Sequence, residues 1–134
     1  MTFESYFRKK KMKGALKVLI VDDEPDVVEI LRYNLSKEKY EVYTAYNGID
    51  ALALAIKTIP DLIIMDIRMP GISGIETCRK IRLISSLKTT PVLFLTADSD
   101  EYTTMNAFEA GANHFITKPI RPSILLEMIH ELVK

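Results

Sequence analysis

The chain has 134 residues, 48% of them hydrophobic and 27% charged, which suits one globular domain with a substantial core. Its 18 basic and 18 acidic residues cancel unevenly: residues 1–16 hold Arg8, Lys9, Lys10, Lys11 and Lys13 against Glu4, leaving 13 basic and 17 acidic groups beyond them. That mildly acidic body carries no nucleic-acid footprint, the lone Cys78 excludes an internal disulfide and fits the reducing cytoplasm, and no apolar run approaches the roughly 18 residues that span a bilayer.

Residues 1–15 read as a basic, flexible extension in which Phe3, Tyr6 and Phe7 could share one helical turn. A domain is expected over 16–134. It starts with an apolar strand at 17–22 that runs into Asp22, Asp23 and Glu24. A helix at about 25–38 follows, opened by Pro25 and carried by Val27, Ile30, Leu31, Asn34 and Leu35. The second strand is at about 41–45. Asn47-Gly48 then marks a turn or cap before a helical face of Ala51, Leu52, Ala55 and Ile56. Pro60 precedes a third strand at 62–66, which ends on Asp66. The loop Pro70-Gly71-Ile72-Ser73-Gly74 leads to a helix at about 74–84 with Ile75, Cys78, Ile81 and Arg82 at helical spacing. Pro91 opens the fourth strand, which ends on Thr96. The polar run Asp98 to Glu101 then leads to a helix at about 102–110, stopped by Gly111. The fifth strand, about 114–117, runs into Lys118-Pro119. A final helix at about 122–133 buries Ile124, Leu125, Met128, Ile129 and Leu132.

Five short strands rich in β-branched residues, alternating with five helices, indicate an α/β fold with a parallel sheet covered on both faces. Strand C-termini lie along one edge of such a sheet. The polar groups that end these runs (Asp22, Asp23, Asp66, Thr96, Lys118) can therefore converge. Three carboxylates in one shallow pocket repel each other, and a divalent cation relieves the repulsion. All-oxygen donors with no His or Cys near the strand ends favour Mg2+ over zinc. An Asp carboxylate can act as a nucleophile toward phosphorus without a general base. A lysine and a hydroxyl nearby can neutralise or hydrogen-bond phosphoryl oxygens.

Four strings carry a specific resemblance: Val-Leu-Ile-Val-Asp-Asp-Glu-Pro (18–25), Met-Asp-Ile-Arg-Met-Pro-Gly-Ile-Ser-Gly (65–74), Leu-Thr-Ala (95–97) and Gly-Ala-Asn-His-Phe-Ile-Thr-Lys-Pro (111–119). In this order and spacing the chain resembles a response-regulator receiver domain of two-component signalling over about 16–133. The resemblance implies a single flavodoxin-like, doubly wound domain with strand order 2-1-3-4-5 and five helices. It implies Asp66 as phosphoacceptor, with Mg2+ held by Asp23, Asp66 and the main-chain carbonyl of Arg68, and by Asp22 mostly through water. Thr96 and Phe115 become the switch hydroxyl and switch aromatic. Lys118 becomes the phosphate-pairing lysine, and Pro119 is expected to follow a cis peptide.

Such a domain is not an enzyme toward a separate substrate; it assists its own phosphorylation and dephosphorylation. Its implied partners are a sensor histidine kinase or phosphotransfer protein, and an effector or output domain that meets the fourth helix, fifth strand and fifth helix. A phosphorylation-dependent homodimer is also expected. Membrane and direct nucleic-acid contacts are not. Leu31 to Leu35 and Tyr43 to Gly48 resemble receivers joined to winged-helix domains, so the regulatory half of a longer DNA-binding transcription factor is the alternative reading. Against it, Asn113-His114 and Met128 replace an acidic pair and an arginine of that subfamily. A phosphatase of the Asp-x-Asp type is disfavoured by Arg68, and a flavin site by the acidic first loop. Cys78, His114 and His130 read as ordinary packing or surface residues.

Overall fold

In the computed structural model, residues 15–97 and 100–132 are described. The elements are β1 (Lys17–Val21), α1 (Pro25–Lys37), β2 (Glu41–Ala45), α2 (Gly48–Thr58), β3 (Leu62–Met65), α3 (Gly74–Arg82), β4 (Val92–Thr96), α4 (Glu101–Glu109), β5 (His114–Thr117) and α5 (Pro122–Leu132). All four strand pairings are parallel and the sheet order is β2-β1-β3-β4-β5, as the resemblance implies. The expected stretches 1–14, Asp98-Ser99 and 133–134 lie outside the described residues.

Strand side chains alternate between two apolar layers. Leu19, Val21, Ile63, Met65 and Phe94 face Ala51, Ala55, Cys78, Ile81 and Ala107 of α2, α3 and α4. Val18, Ile20, Ile64, Leu93 and Leu95 face Val28, Leu31, Leu35, Leu125 and Ile129 of α1 and α5. The central strands are buried on both faces, which explains their uninterrupted apolar runs.

Local chemistry sets most boundaries. Pro25 occupies the first turn of α1, where its missing N–H is no loss. Asn47, Ser73 and Asp100 cap α2, α3 and α4 by accepting from the main-chain N–H three residues on. Gly111, at φ +110°, ends α4, and Ala112 N–H returns to the carbonyl of Ala107.

Three apolar residues depart from the sequence reading. Ile30, Ile56 and Ile124 share the helical period of their elements, yet all are exposed. Each stands at the margin of its apolar stripe, and the core is filled by neighbours one helical turn away. A short 3-10 turn at Ser85–Leu87, which buries Leu87, was not anticipated from the sequence. Arg82 also differs from expectation. Its guanidinium leaves the helix face and donates to the carbonyls of Gly111 (2.7 Å) and Thr90 (2.7 Å), and to Asn113 Oδ1 (3.0 Å). It thus ties the end of α3 to the loops before β4 and β5.

Candidate functional site

The sheet's own hydrogen bonds fix the main chain of the site. They continue one residue past three strand ends. Asp22 N–H donates to Ala45 O (3.2 Å), Asp66 N–H to Val21 O (2.9 Å) and Lys118 N–H to Thr96 O (2.8 Å). The register that pairs Val21 with Met65 therefore carries the next residues, Asp22 and Asp66, to neighbouring positions on one edge.

Side-chain bonds then orient the carboxylates. Oδ1 of Asp22 accepts the Glu24 N–H (2.9 Å), and Oδ1 of Asp66 accepts the Ile67 N–H (2.8 Å). Each Oδ2 is left to Lys118, whose Nζ lies 2.8 Å from Asp22 and 3.4 Å from Asp66. Glu24 Oε1 takes a third bond from the same ammonium at 3.1 Å. Asp22, Asp66 and Thr96 are buried, whereas Asp23, Glu24 and Arg68 are exposed. An open pocket of about 420 Å³ is lined by Asp23, Glu24, Asp66, Arg68, Thr96, Ala97 and Lys118. The Lys118–Pro119 peptide is cis.

Burial pushes the Asp22 carboxyl above its usual range and outweighs the Lys118 hydrogen bond that pulls it down. Burial alone would lower the Lys118 ammonium. Its bonds to Asp22 and Glu24 more than reverse this and hold it well above its ordinary value. Ligand oxygens of Asp22, Asp23, Glu24 and Asp66 all lie within 4.8 Å of one another. Among the described residues here, the Lys118 ammonium and the Arg68 guanidinium are outnumbered by four carboxylates, which leaves net negative charge. The all-oxygen donor set fits a hard divalent cation such as Mg2+.

All the residues singled out around Asp66 gather at this edge except Phe115. It sits half-buried inside β5, opposite Phe94, against the α2–α4 core layer. Glu24 had no role in the sequence reading, although it completes the acidic triplet. Its position at the N-terminus of α1 aims it at Lys118, a contact 94 residues apart in sequence that no local pattern encodes. Gly74 was also missed. A Cβ there would overlap the main-chain carbonyl of Asp66, so only glycine lets α3 start this close to the site.

The family model for the response regulator receiver domain matches residues 18–130. The chain belongs to that family. It is a receiver domain of two-component signalling, a signalling domain of a family that binds Mg2+ in its acidic site and works with histidine kinases and downstream effectors. Among solved structures it is similar to the chemotaxis protein CheY4 of Vibrio cholerae (34% identity, 89% of this chain and 99% of that one, TM-score 0.85). It is also similar to the signal receiver domain of a histidine kinase from Syntrophus aciditrophicus (36%, 89% and 90%, TM-score 0.82). A third relative is the receiver of a Pseudomonas aeruginosa sensor histidine kinase, solved with magnesium coordinated in its active-site cleft (27%, 90% and 98%, TM-score 0.83). Among the described residues no helix is long and apolar enough to cross a membrane.

Proposed function

We propose that Asp66 is the phosphoacceptor of this receiver and that the phosphoryl group comes from a phosphohistidine of a sensor kinase or phosphotransfer protein. A carboxylate oxygen of Asp66 bonds to phosphorus while the phosphorus–nitrogen bond to the donor imidazole breaks, and the imidazole recovers a proton from solvent. Asp22, Asp23, Asp66 and the carbonyl of Arg68 would hold Mg2+, with Asp22 acting largely through water. When bound, the ion supplies charge neutralisation for the phosphoryl oxygens. Lys118 pairs with the incoming anion and exchanges one of its carboxylate partners for a phosphoryl oxygen. The Thr96 hydroxyl donates a hydrogen bond to another. Movement of Thr96 toward the phosphoryl group frees space that Phe115 fills. The surface of α4, β5 and α5 then changes its preference for an effector. The receiver proper is taken as 16–134, acting in the cytoplasm, with 1–15 as an extension, and the same site accelerates loss of the phosphoryl group.

The observation that carries this reading is the 3.4 Å approach of Lys118 Nζ to Asp66 Oδ2 inside a cluster of four carboxylates. The test is intact-mass spectrometry after incubation with phosphoramidate and Mg2+. The wild type is expected to gain one phosphoryl group, and Asp66→Asn none. Unmodified wild-type protein, or equal gain in Asp66→Asn, would refute the assignment.

A further inference from the structure

Away from the acidic pocket, α2 has an unusual outer face. Its charged residues are only Asp50 and Lys57, so the helix is apolar nearly all round. Such helices are normally enclosed, because a surface helix keeps one polar face. Gly48, Ala51, Ala55 and Thr58 fill the inner face. The outer face nevertheless exposes Ile49 (60%), Ile56 (52%) and Ala53 between them. At the helix end Ile59 is 44% exposed and sits at φ +47°, a left-handed conformation that is unfavourable for a β-branched residue. Its exposed part extends the apolar surface at the C-terminal end of the helix.

The arrangement of this face identifies its occupant. Ile49 and Ile56 are seven residues apart, and so are Asp50 and Lys57; two helical turns keep each pair on one flank. Ala53 lies midway, on the outermost line of the helix. In an antiparallel helix pair related by a two-fold axis, like flanks meet and ends exchange. A crossing at Ala53 therefore sets Ile49 against Ile56 of the other copy, and Asp50 against Lys57 of the other copy, twice over. Tyr46, 44% exposed just before the helix, lies beside Asp50, Ala53 and Lys57 and extends that flank of the face. The small side chain at the crossing lets the axes approach closely. Apolar and charged matches hold in a single register, which an arbitrary apolar stripe would not give.

We infer that the outer face of α2 is an isologous docking surface for a second copy of this chain, paired antiparallel about Ala53. No residue of α2 lines the phosphorylation pocket, and the surface is separate from α4, β5 and α5. The pair therefore leaves both pockets open and forms without phosphorylation.

Sedimentation velocity from low to several hundred micromolar tests this in the full chain, with far-UV circular dichroism confirming that each variant is folded. The wild type and Asp66→Asn are expected to dimerise alike. Ile56→Glu, which places a charge in the apolar contact, should weaken association by roughly a hundredfold. Lys57→Glu should weaken it by about two- to fivefold, and adding Asp50→Lys should restore it. Ala53→Cys should form an intermolecular disulfide under mild oxidation, and Glu127→Cys, exposed on α5 across the sheet from this face, should not. A wild type that stays monomeric throughout would overturn the inference, as would a dimer indifferent to Ile56→Glu. A dimer that Ile56→Glu breaks, but that responds to neither charge reversal and gives no crosslink in Ala53→Cys, would overturn the antiparallel register.

Discussion

Replacing Lys118 by methionine removes an ammonium that touches three carboxylates. Its side chain is 14% exposed, and the two acids Asp22 and Asp66 are buried. Breaking a buried ion pair by deleting one partner costs about 3–5 kcal/mol, because the remaining charge stays desolvated. Asp23 and Glu24 leave this pocket open to water on one side, so the lower figure, about 3 kcal/mol, applies at pH 7.5 without Mg2+. For a domain of this size that corresponds to a fall in Tm of roughly 10–15 °C. Two further readings separate lost charge compensation from lost packing. Without Lys118 the Asp22 carboxyl, already raised by burial, rises further, so the deficit should shrink at pH 5 as the acid takes up a proton. Added Mg2+ should also raise the Tm of the variant more than that of the wild type, since a divalent cation can replace the missing countercharge. Thermal melts at the two pH values, with and without Mg2+, decide the matter. An unchanged Tm at pH 7.5, or a deficit equal at both pH values, would refute the reasoning.

Much of this molecule is legible in its sequence because each signal is local. The uninterrupted apolar runs at 18–21, 62–65 and 92–95 reveal doubly covered strands, and the polar residues after them mark the edge where a site must form. Asn47 and Gly111 announce helix ends by their own chemistry. What escaped depends on distant partners. Glu24 matters because Lys118 is folded against it, and Gly74 because the Asp66 carbonyl occupies the place of its Cβ. Arg82 looks like an amphipathic-helix residue until the loops at Thr90 and Gly111 are brought to it. Ile56 obeys the helical period yet faces outward, since periodicity gives the width of an apolar stripe only to within a residue and α2 is apolar beyond its buried half.

Gly74→Ala should lower stability by about 2–3 kcal/mol and impair phosphorylation with it, because the new methyl can be accommodated only by moving α3 or the Asp66 main chain; denaturant melts and intact-mass assays read the two effects together. Arg68→Ala should change the lifetime of the phosphorylated protein, since the exposed Arg68 lines the mouth of the pocket where water must enter; an unaltered dephosphorylation rate would dismiss the idea. Asp22→Asn should stabilise the metal-free protein at neutral pH while weakening Mg2+ binding, by calorimetry. The sign follows from burial. The folded protein holds a proton on Asp22 at pH values where the unfolded chain has already lost it, so ionising this group opposes folding as pH rises through that window. Asparagine removes the cost of ionisation but keeps Asp66 and Glu24 as partners for Lys118. The stabilisation should therefore be largest above the window and fade as pH falls through it. A gain that persists unchanged into acid would mean that packing, and not the buried charge, separates the two proteins.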